Sequence, residues 1–343
     1  MNVSVEIKSL ISSFIYTLGF VSRRIRNSHD NSLVLMYHRI IPKNDPWESV
    51  IQDGMYVEPK TFEIHIRFLR RYFTIIPIFE FMVKIENQMG RSNEKPICIL
   101  TFDDGWYDFY KDVFPILKIY EVPATVFLPT DFIGTKKWFW TDRLTHLFFQ
   151  RDHSPHSARI HEPSSLILVN HLEALKGSFE SKIERAIEML KVVRYDEIEH
   201  ILSELSIRWN LDTELPGRAF LSWDEVREMK KSGLITFGSH TASHRIFTTL
   251  TEEEMYDELR RSKAKLVSED AIDPACIPFC YPNGNYNEKI AGMVKEAGYH
   301  LAVTTENGWN NSKIDPFRLR RIGIHQDMTS SKAMFGCRVT GII

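Results

Sequence analysis

Short apolar runs alternate with helix-patterned segments along most of this 343-residue chain, and that alternation restricts the fold more than any other feature. The runs LVLMYHRI (33–40), PICILTFDDG (96–105), ATVFLPT (124–130), LITFGSH (234–240), CIPFCYP (276–282) and LAVTT (301–305) have strand length and are almost continuously apolar. Such strands are buried on both faces. Between them lie helical patterns: Thr61 to Tyr72 behind a threonine cap candidate, FPILKIY (114–120), SWDEVREMKKSG (222–233), TEEEMYDELRRSKAKLVSE (251–269) and NEKIAGMVKEAG (287–298). TIIPI (74–78) reads as a further strand. Repeated strand-helix units predict an α/β fold with a parallel sheet, open or closed into a barrel, whose functional residues stand at the carboxyl ends of strands.

The alternation lapses between about 140 and 216, where long helical stretches such as SFESKIERAIEMLKVV and YDEIEHILSEL, separated by a polar loop (151–165), read as an insertion. Residues 1–30 form a separate N-terminal element, and 31–343 a catalytic domain carrying that insertion. Ile7, Leu10, Ile11, Phe14, Ile15 and Leu18 fall at helical spacing, which predicts an amphipathic helix. It reads either as a helix docked on the protein body or as a membrane-surface anchor making peripheral contact. The uncharged run 9–22 is short for a membrane span, and its basic residues Arg23, Arg24 and Arg26 follow it, whereas a secretory signal places them in front. The expected localisation is therefore cytoplasmic, with possible attachment to the inner membrane face. A net charge of −2 argues against nucleic acid as a partner. Four scattered cysteines read as reduced packing residues. Oligomeric state leaves no mark on the sequence.

Two motifs carry chemistry. Thr101-Phe102-Asp103-Asp104-Gly105 places adjacent carboxylates at the end of an apolar strand, where they repel each other unless a positive group sits beside them. Ser239-His240-Thr241-Ala242-Ser243-His244 follows another such strand, with two histidines four apart that can face one way on a helical turn and share a metal. Alone, the first is equally a solvated acidic turn and the second a capping turn. Together, at one end of a parallel barrel, they provide two histidines and a carboxylate, the donor set of a catalytic zinc site, with one carboxylate left over to act as a base. Cys280-Tyr281-Pro282-Asn283-Gly284 is a turn able to present a backbone N–H, and His38 ends the first strand.

On these residues the chain resembles the polysaccharide deacetylases of carbohydrate esterase family 4, from about Leu33 to Ile324. TFDDG matches their first motif and SHTASH their second. The resemblance implies a distorted (β/α)7 barrel and hydrolysis of N-acetyl groups on a carbohydrate by a divalent metal, Zn2+ by expectation. It makes Asp103 the base, Asp104, His240 and His244 the metal ligands, and the Asn283 N–H an oxyanion donor. The third motif departs from the common Arg-Pro-Pro-Tyr-Gly: Cys280 stands where that arginine would be, and Arg321 looks like its substitute. The final Leu-x-x-His motif, source of the acid, is matched by Leu35 to His38, similar to the permuted order of poly-N-acetylglucosamine deacetylases. His325 is the competitor. Trp106, Trp138, Trp140 and Trp309 are candidates to stack on sugar rings. The expected partner is an N-acetylated carbohydrate. Rival readings are a hydrolase of a small C–N amide or nucleotide-linked sugar, and a carbohydrate-binding protein without catalysis.

Overall fold

The computed structural model of the chain describes residues 3–45, 51, 54–86, 95–153, 163–213, 215 and 217–342. Seven parallel strands form the centre: β1 (Ser32–Tyr37), β2 (Ile97–Phe102), β3 (Ala124–Leu128), β4 (Ile235–Ser239), β5 (Pro278–Cys280), β6 (Leu301–Val303) and β7 (Ile322–Gly323). They are ordered β7-β1-β2-β3-β4-β5-β6. A parallel bridge between Val303 and Leu319 joins β6 to the segment leading into β7 and completes a ring. Leu319 N–H donates to Ala302 O at 3.0 Å, and Thr304 N–H donates to Leu319 O at 2.9 Å. The chain thus folds as a distorted (β/α)7 barrel.

Parity along the strands divides the core. Val34, Ile99, Phe127, Cys280, Leu301, Val303 and Leu319 form one buried cluster. Leu33, Leu35, Tyr37, Cys98, Leu100, Phe102, Val126 and Phe237 pack in another with the surrounding helices. This two-residue alternation is what the pleat requires of strands apolar on both faces. Because β3 pairs only with Thr101 and Phe102 of β2, the lower half of that edge is free for Thr74–Ile75, which pairs with Ile97 and Cys98.

Several boundaries differ from the sequence reading. The helix expected from Thr61 spans Pro59–Tyr72, because Pro59 suits the first turn, where its missing N–H costs nothing. Thr61 is buried and accepts a hydrogen bond from Gln326. The first strand ends at Tyr37, and Arg39–Ile40 pairs separately with Tyr56–Val57. Only Thr74–Ile75 of TIIPI is a strand; Ile78 begins a helix.

The stretch after β3 forms four helices, Trp140–His153, Ile167–Glu173, Phe179–Leu190 and Tyr195–Trp209. They bury Leu144, Phe148, Ile187, Leu202 and Trp209 in a cluster of their own. Most of the polar loop read within this stretch, residues 154–162, lies outside the described residues. The chain returns at Ala219 to Leu221, where hydrogen bonds from Tyr107 N–H to Ala219 O and from Leu221 N–H to Gly105 O tie it to the loop after β2. The N-terminal helix α1 (Val3–Thr17) docks on the C-terminal helix α2 (Lys332–Thr340) through Ser12, whose carbonyl accepts from Cys337 Sγ. Of the apolar stripe read in the sequence, Ile15 packs against the core, whereas Ile7, Leu10, Ile11, Phe14 and Leu18 are exposed. Among the described residues, no helix is long and apolar enough to cross a membrane.

Gly238 lets β4 approach β5 closely, since a Cβ there would lie 2.6 Å from Pro278 O and 2.8 Å from the Phe127 ring. Gly238→Ala should destabilise the barrel by about 1–3 kcal/mol through overpacking. A thermal unfolding midpoint equal to that of the parent would contradict the close approach.

Candidate metal centre

The inward parity of Ile99 and Thr101 continues to Asp103, whose N–H extends the ladder to Tyr37 O at 3.0 Å. At Asp104 the backbone turns left-handed, with φ 72°, and the next side chain swings out of strand register. Of the eight non-glycine residues with positive φ among those described, Asp104, Thr241, His244 and Asn283 lie in the three motif loops. Thr241, β-branched at φ 64°, is the most strained type in that region. Such strain persists because neighbours enforce it. Buried Glu258, from the helix Glu252–Ser268, accepts from the N–H groups of Ala242 and Ser243 and from Ser243 Oγ. His244 N–H donates to Thr241 Oγ1 at 2.9 Å.

This loop brings the histidines together differently from the helical turn read in the sequence. His240 directly follows β4, and no helix spans 240–244. His240 Nε2 and His244 Nε2 are 3.2 Å apart, and they stand 3.4 and 3.3 Å from Asp104 Oδ1. A tetrahedral ion with ligand bonds of about 2.0–2.1 Å separates its ligands by roughly 3.3 Å, so the triangle has the dimensions of one face of such a site. His240 Nδ1 donates to Cys280 O at 2.9 Å, which fixes the tautomer and leaves the Nε2 lone pair facing inward. Trp106 Nε1 donates to Asp104 Oδ2 at 3.0 Å, occupying the oxygen turned away from the histidines. Burial acts to raise the Asp104 carboxyl, but the two histidines hold it well below the ordinary carboxylate value. Three donor atoms converging at these distances fit a divalent cation in place of the protons they would otherwise share.

A second trio, Asp103, His240 and Cys280, has similar spacing but not the chemistry. Burial pushes the Cys280 thiol up, away from the thiolate a metal needs. Asp103 is also already engaged. Arg321 Nη1 and Nη2 donate to its two oxygens at 2.7 and 2.8 Å, a bidentate pair with both side chains buried. Arg321 is itself held by Thr304 O at 2.8 Å, Thr101 Oγ1 at 3.1 Å and Cys280 Sγ at 3.3 Å. Burial would raise the Asp103 carboxyl; the guanidinium overrides this and holds it below its usual range. Cys280 therefore touches the ion pair and is more than the packing residue read from sequence.

His38 Nε2 lies 3.9 Å from Asp103 Oδ2 with its side chain 15% exposed. His325 lies near Gly323 and Gly54; burial first, then His38, lowers its pKa. Asn283 is exposed, left-handed at φ 55°, three residues after Cys280, and its backbone N–H donates to none of the described residues.

Other neighbours escaped sequence reasoning. Asp142, in the first turn of the first inserted helix, has a buried Oδ2 without a hydrogen-bond partner among the described residues. Burial, opposed by Arg39 and reinforced by Asp104, pushes its carboxyl up to about 7. Arg39 pairs with buried Asp108 at 2.8 Å and lies over the Trp106 ring. No local pattern marks Glu258 or Asp142. The tryptophans offered as sugar platforms are engaged in packing: Trp106 stacks on Phe220 and Trp138 is buried beside it, Trp309 donates to Val339 O, and Trp140 packs on the inserted helices.

Comparison with known proteins places these observations in context. The family model described as polysaccharide deacetylase matches residues 90–302. YxkH of Bacillus subtilis is 24% identical over 303 residues, covering 87% of this chain and 73% of its own length. The poly-beta-1,6-N-acetyl-D-glucosamine N-deacetylase of Staphylococcus epidermidis is 24% identical over 224 residues, 62% of this chain and 73% of that protein. The structure of Streptococcus pyogenes deacetylase PplD superposes with a TM-score of 0.57 at 20% identity, covering 89% of this chain and 97% of that one.

Asp104→Asn, His240→Gln and His244→Gln should each lower the bound divalent metal measured by equilibrium dialysis and elemental analysis. Arg321→Lys, outside the triangle, should leave it in place. Unchanged metal content in all three would remove the triangle as the binding site.

Proposed function

The chain belongs to the polysaccharide deacetylase family, and on that premise we propose that it hydrolyses N-acetyl groups from an N-acetylated sugar polymer or its precursor in a metal-dependent reaction. The observation that carries this reading is a metal-sized Asp-His-His triangle beside a second carboxylate that is kept ionised and stays out of the triangle. The polymer named for the staphylococcal relative, poly-N-acetylglucosamine, is the first substrate we assign. We assign Zn2+ as the metal and Asp104, His240 and His244 as its ligands, because two imidazoles and one carboxylate around an open position are a donor set that catalytic zinc uses. Zn2+ in such a site lowers the pKa of a water toward neutrality and polarises the carbonyl to be attacked.

The residues of the chain supply the remaining steps. Asp103, ionised and oriented by Arg321, accepts the proton of the attacking water. As the acetamide carbon becomes tetrahedral, its oxygen gains negative charge and the Asn283 N–H donates to it. His38 delivers a proton to the amine nitrogen, the C–N bond breaks, and acetate and a free amine leave. Two observations favour His38 over His325 as this acid. His38 is the one beside Asp103, with its side chain 15% exposed, and burial lowers the pKa of the His325 ring, which disfavours its protonated form.

Acetate release from N-acetylglucosamine oligomers, measured with and without added Zn2+, tests the whole reading; metal-loaded protein inactive on free, oligomeric and lipid-linked N-acetylated sugars would end it. His38→Ala should lower turnover by about 10²–10⁴ with metal retained. If His325→Ala produces that loss instead, the acid role passes to His325. Arg321→Met leaves burial as the main influence on Asp103, so its pKa rises and the acid limb of kcat/KM moves to higher pH. An acid limb that stays put or moves down would separate Arg321 from the ionisation of Asp103.

A further inference from the structure

The N-terminal helix lies on the protein inside out. Its buried face consists of Ser12, 1% exposed, with half-buried Ser9, Ile15 and Tyr16 beside it. Its outward face is Ile7, Leu10, Ile11, Phe14 and Leu18, between 48% and 72% exposed. These five recur at i, i+3, i+4, i+7 and i+11, a single stripe, and a helix of a water-exposed surface normally turns such a stripe inward. Among the described residues, six of the sixteen large hydrophobic side chains that are exposed, Phe20 included, fall within residues 7–20. The others are scattered, which is ordinary; a contiguous stripe marks an interaction surface.

Charge identifies what the stripe meets. Arg23 and Arg24 follow it on the short helix Phe20–Arg26 and, with Ile15, Phe20, Thr340 and Ile342, line a cleft of about 540 Å³. Neither arginine has an acidic partner within 4.0 Å among the described residues. Residues 1–30 hold Lys8, Arg23, Arg24 and Arg26 against Glu6 and Asp30, a positive balance in a chain whose net charge is −2. The 15-residue helix is about 22 Å long, short of the roughly 30 Å of a bilayer core, so its geometry suits lying in an interface.

We propose that the outward stripe of the N-terminal helix, with Arg23 and Arg24, docks the protein on an anionic lipid surface. The apolar side chains enter the boundary of the acyl region and the guanidinium groups meet lipid phosphates, whose oxygens they bind in pairs. A second copy is the poorer occupant, because a two-fold contact through the stripe brings like-charged arginine clusters together. The proposal is independent of the chemistry assigned to the barrel mouth.

Flotation of the full chain with vesicles of phosphatidylcholine alone, and of equal parts phosphatidylcholine and phosphatidylglycerol, tests it. Binding to the anionic vesicles is expected, weakened by salt. Leu10→Ser with Phe14→Ser should reduce the bound fraction by about tenfold or more, and Arg23→Gln with Arg24→Gln severalfold. Both variants alter exposed side chains, so thermal midpoints and acetate release from a soluble oligomer should match the parent. Failure of the intact chain to float, or equal flotation of the Leu10→Ser, Phe14→Ser variant, would overturn the proposal. So would a dimeric mass in sedimentation that this variant reduces to a monomer, since the stripe would then serve a second copy.

Discussion

A guanidinium and a carboxylate, buried together at the mouth of the barrel, tie the site to the closure of the fold. Arg321 enters from the segment that joins β6 to β7, and Asp103 from the end of β2, on the opposite side of β1. The pair is satisfied in full: the guanidinium also finds Thr304 O, Thr101 Oγ1 and Cys280 Sγ. That matters because a buried charge left unpaired costs several kcal/mol, whereas a fully bonded pair is tolerated. The interaction therefore makes ring closure and the ionisation of Asp103 one condition. A barrel open between β6 and β7 would lose both.

The same arrangement accounts for the altered third motif. In the related pattern an arginine comes from the strand corresponding to β5; here that strand contributes Cys280, whose thiol carries no positive charge to pair with Asp103. Its thiol packs against both members of the pair, and its carbonyl holds His240. One residue thus touches the Asp103–Arg321 pair and orients a histidine of the triangle. The Asp-His-His triangle and the Asp103–Arg321 pair are separate groups joined by this backbone position, which explains how Asp103 and Asp104, adjacent in sequence, live in different electrostatic surroundings. One faces a guanidinium and the other two imidazoles.

The four-helix stretch after β3 borders this mouth. Phe139, just before its first helix, stacks on the His244 ring with centroids 4.4 Å apart, and Asp142, whose Oδ2 has no hydrogen-bond partner among the described residues, feels the charges of Arg39 and Asp104. The return strand at Ala219 to Leu221 is hydrogen-bonded to the loop after β2. This stretch consequently stands beside the site, although most of its apolar side chains pack only among themselves.

Much of this was legible in the sequence. The apolar runs marked the strands because a strand covered on both faces must be apolar along its length, and the acidic and histidine pairs stood out because they end such runs abruptly. Local pattern also located the N-terminal helix. What it did not decide was which face of that helix meets the protein, since the choice rests on Ser12 fitting against a distant helix near Cys337. Nor did it show that His240 and His244 converge through a strained loop: that conformation is enforced by Glu258, whose burial depends on another helix. Arg321 and Asp103 are 218 residues apart. Hydrophobic periodicity is a property of neighbours along the chain, whereas paired charges, enforced strain and the buried side of a helix are properties of neighbours in space, and only the closed barrel brings those together.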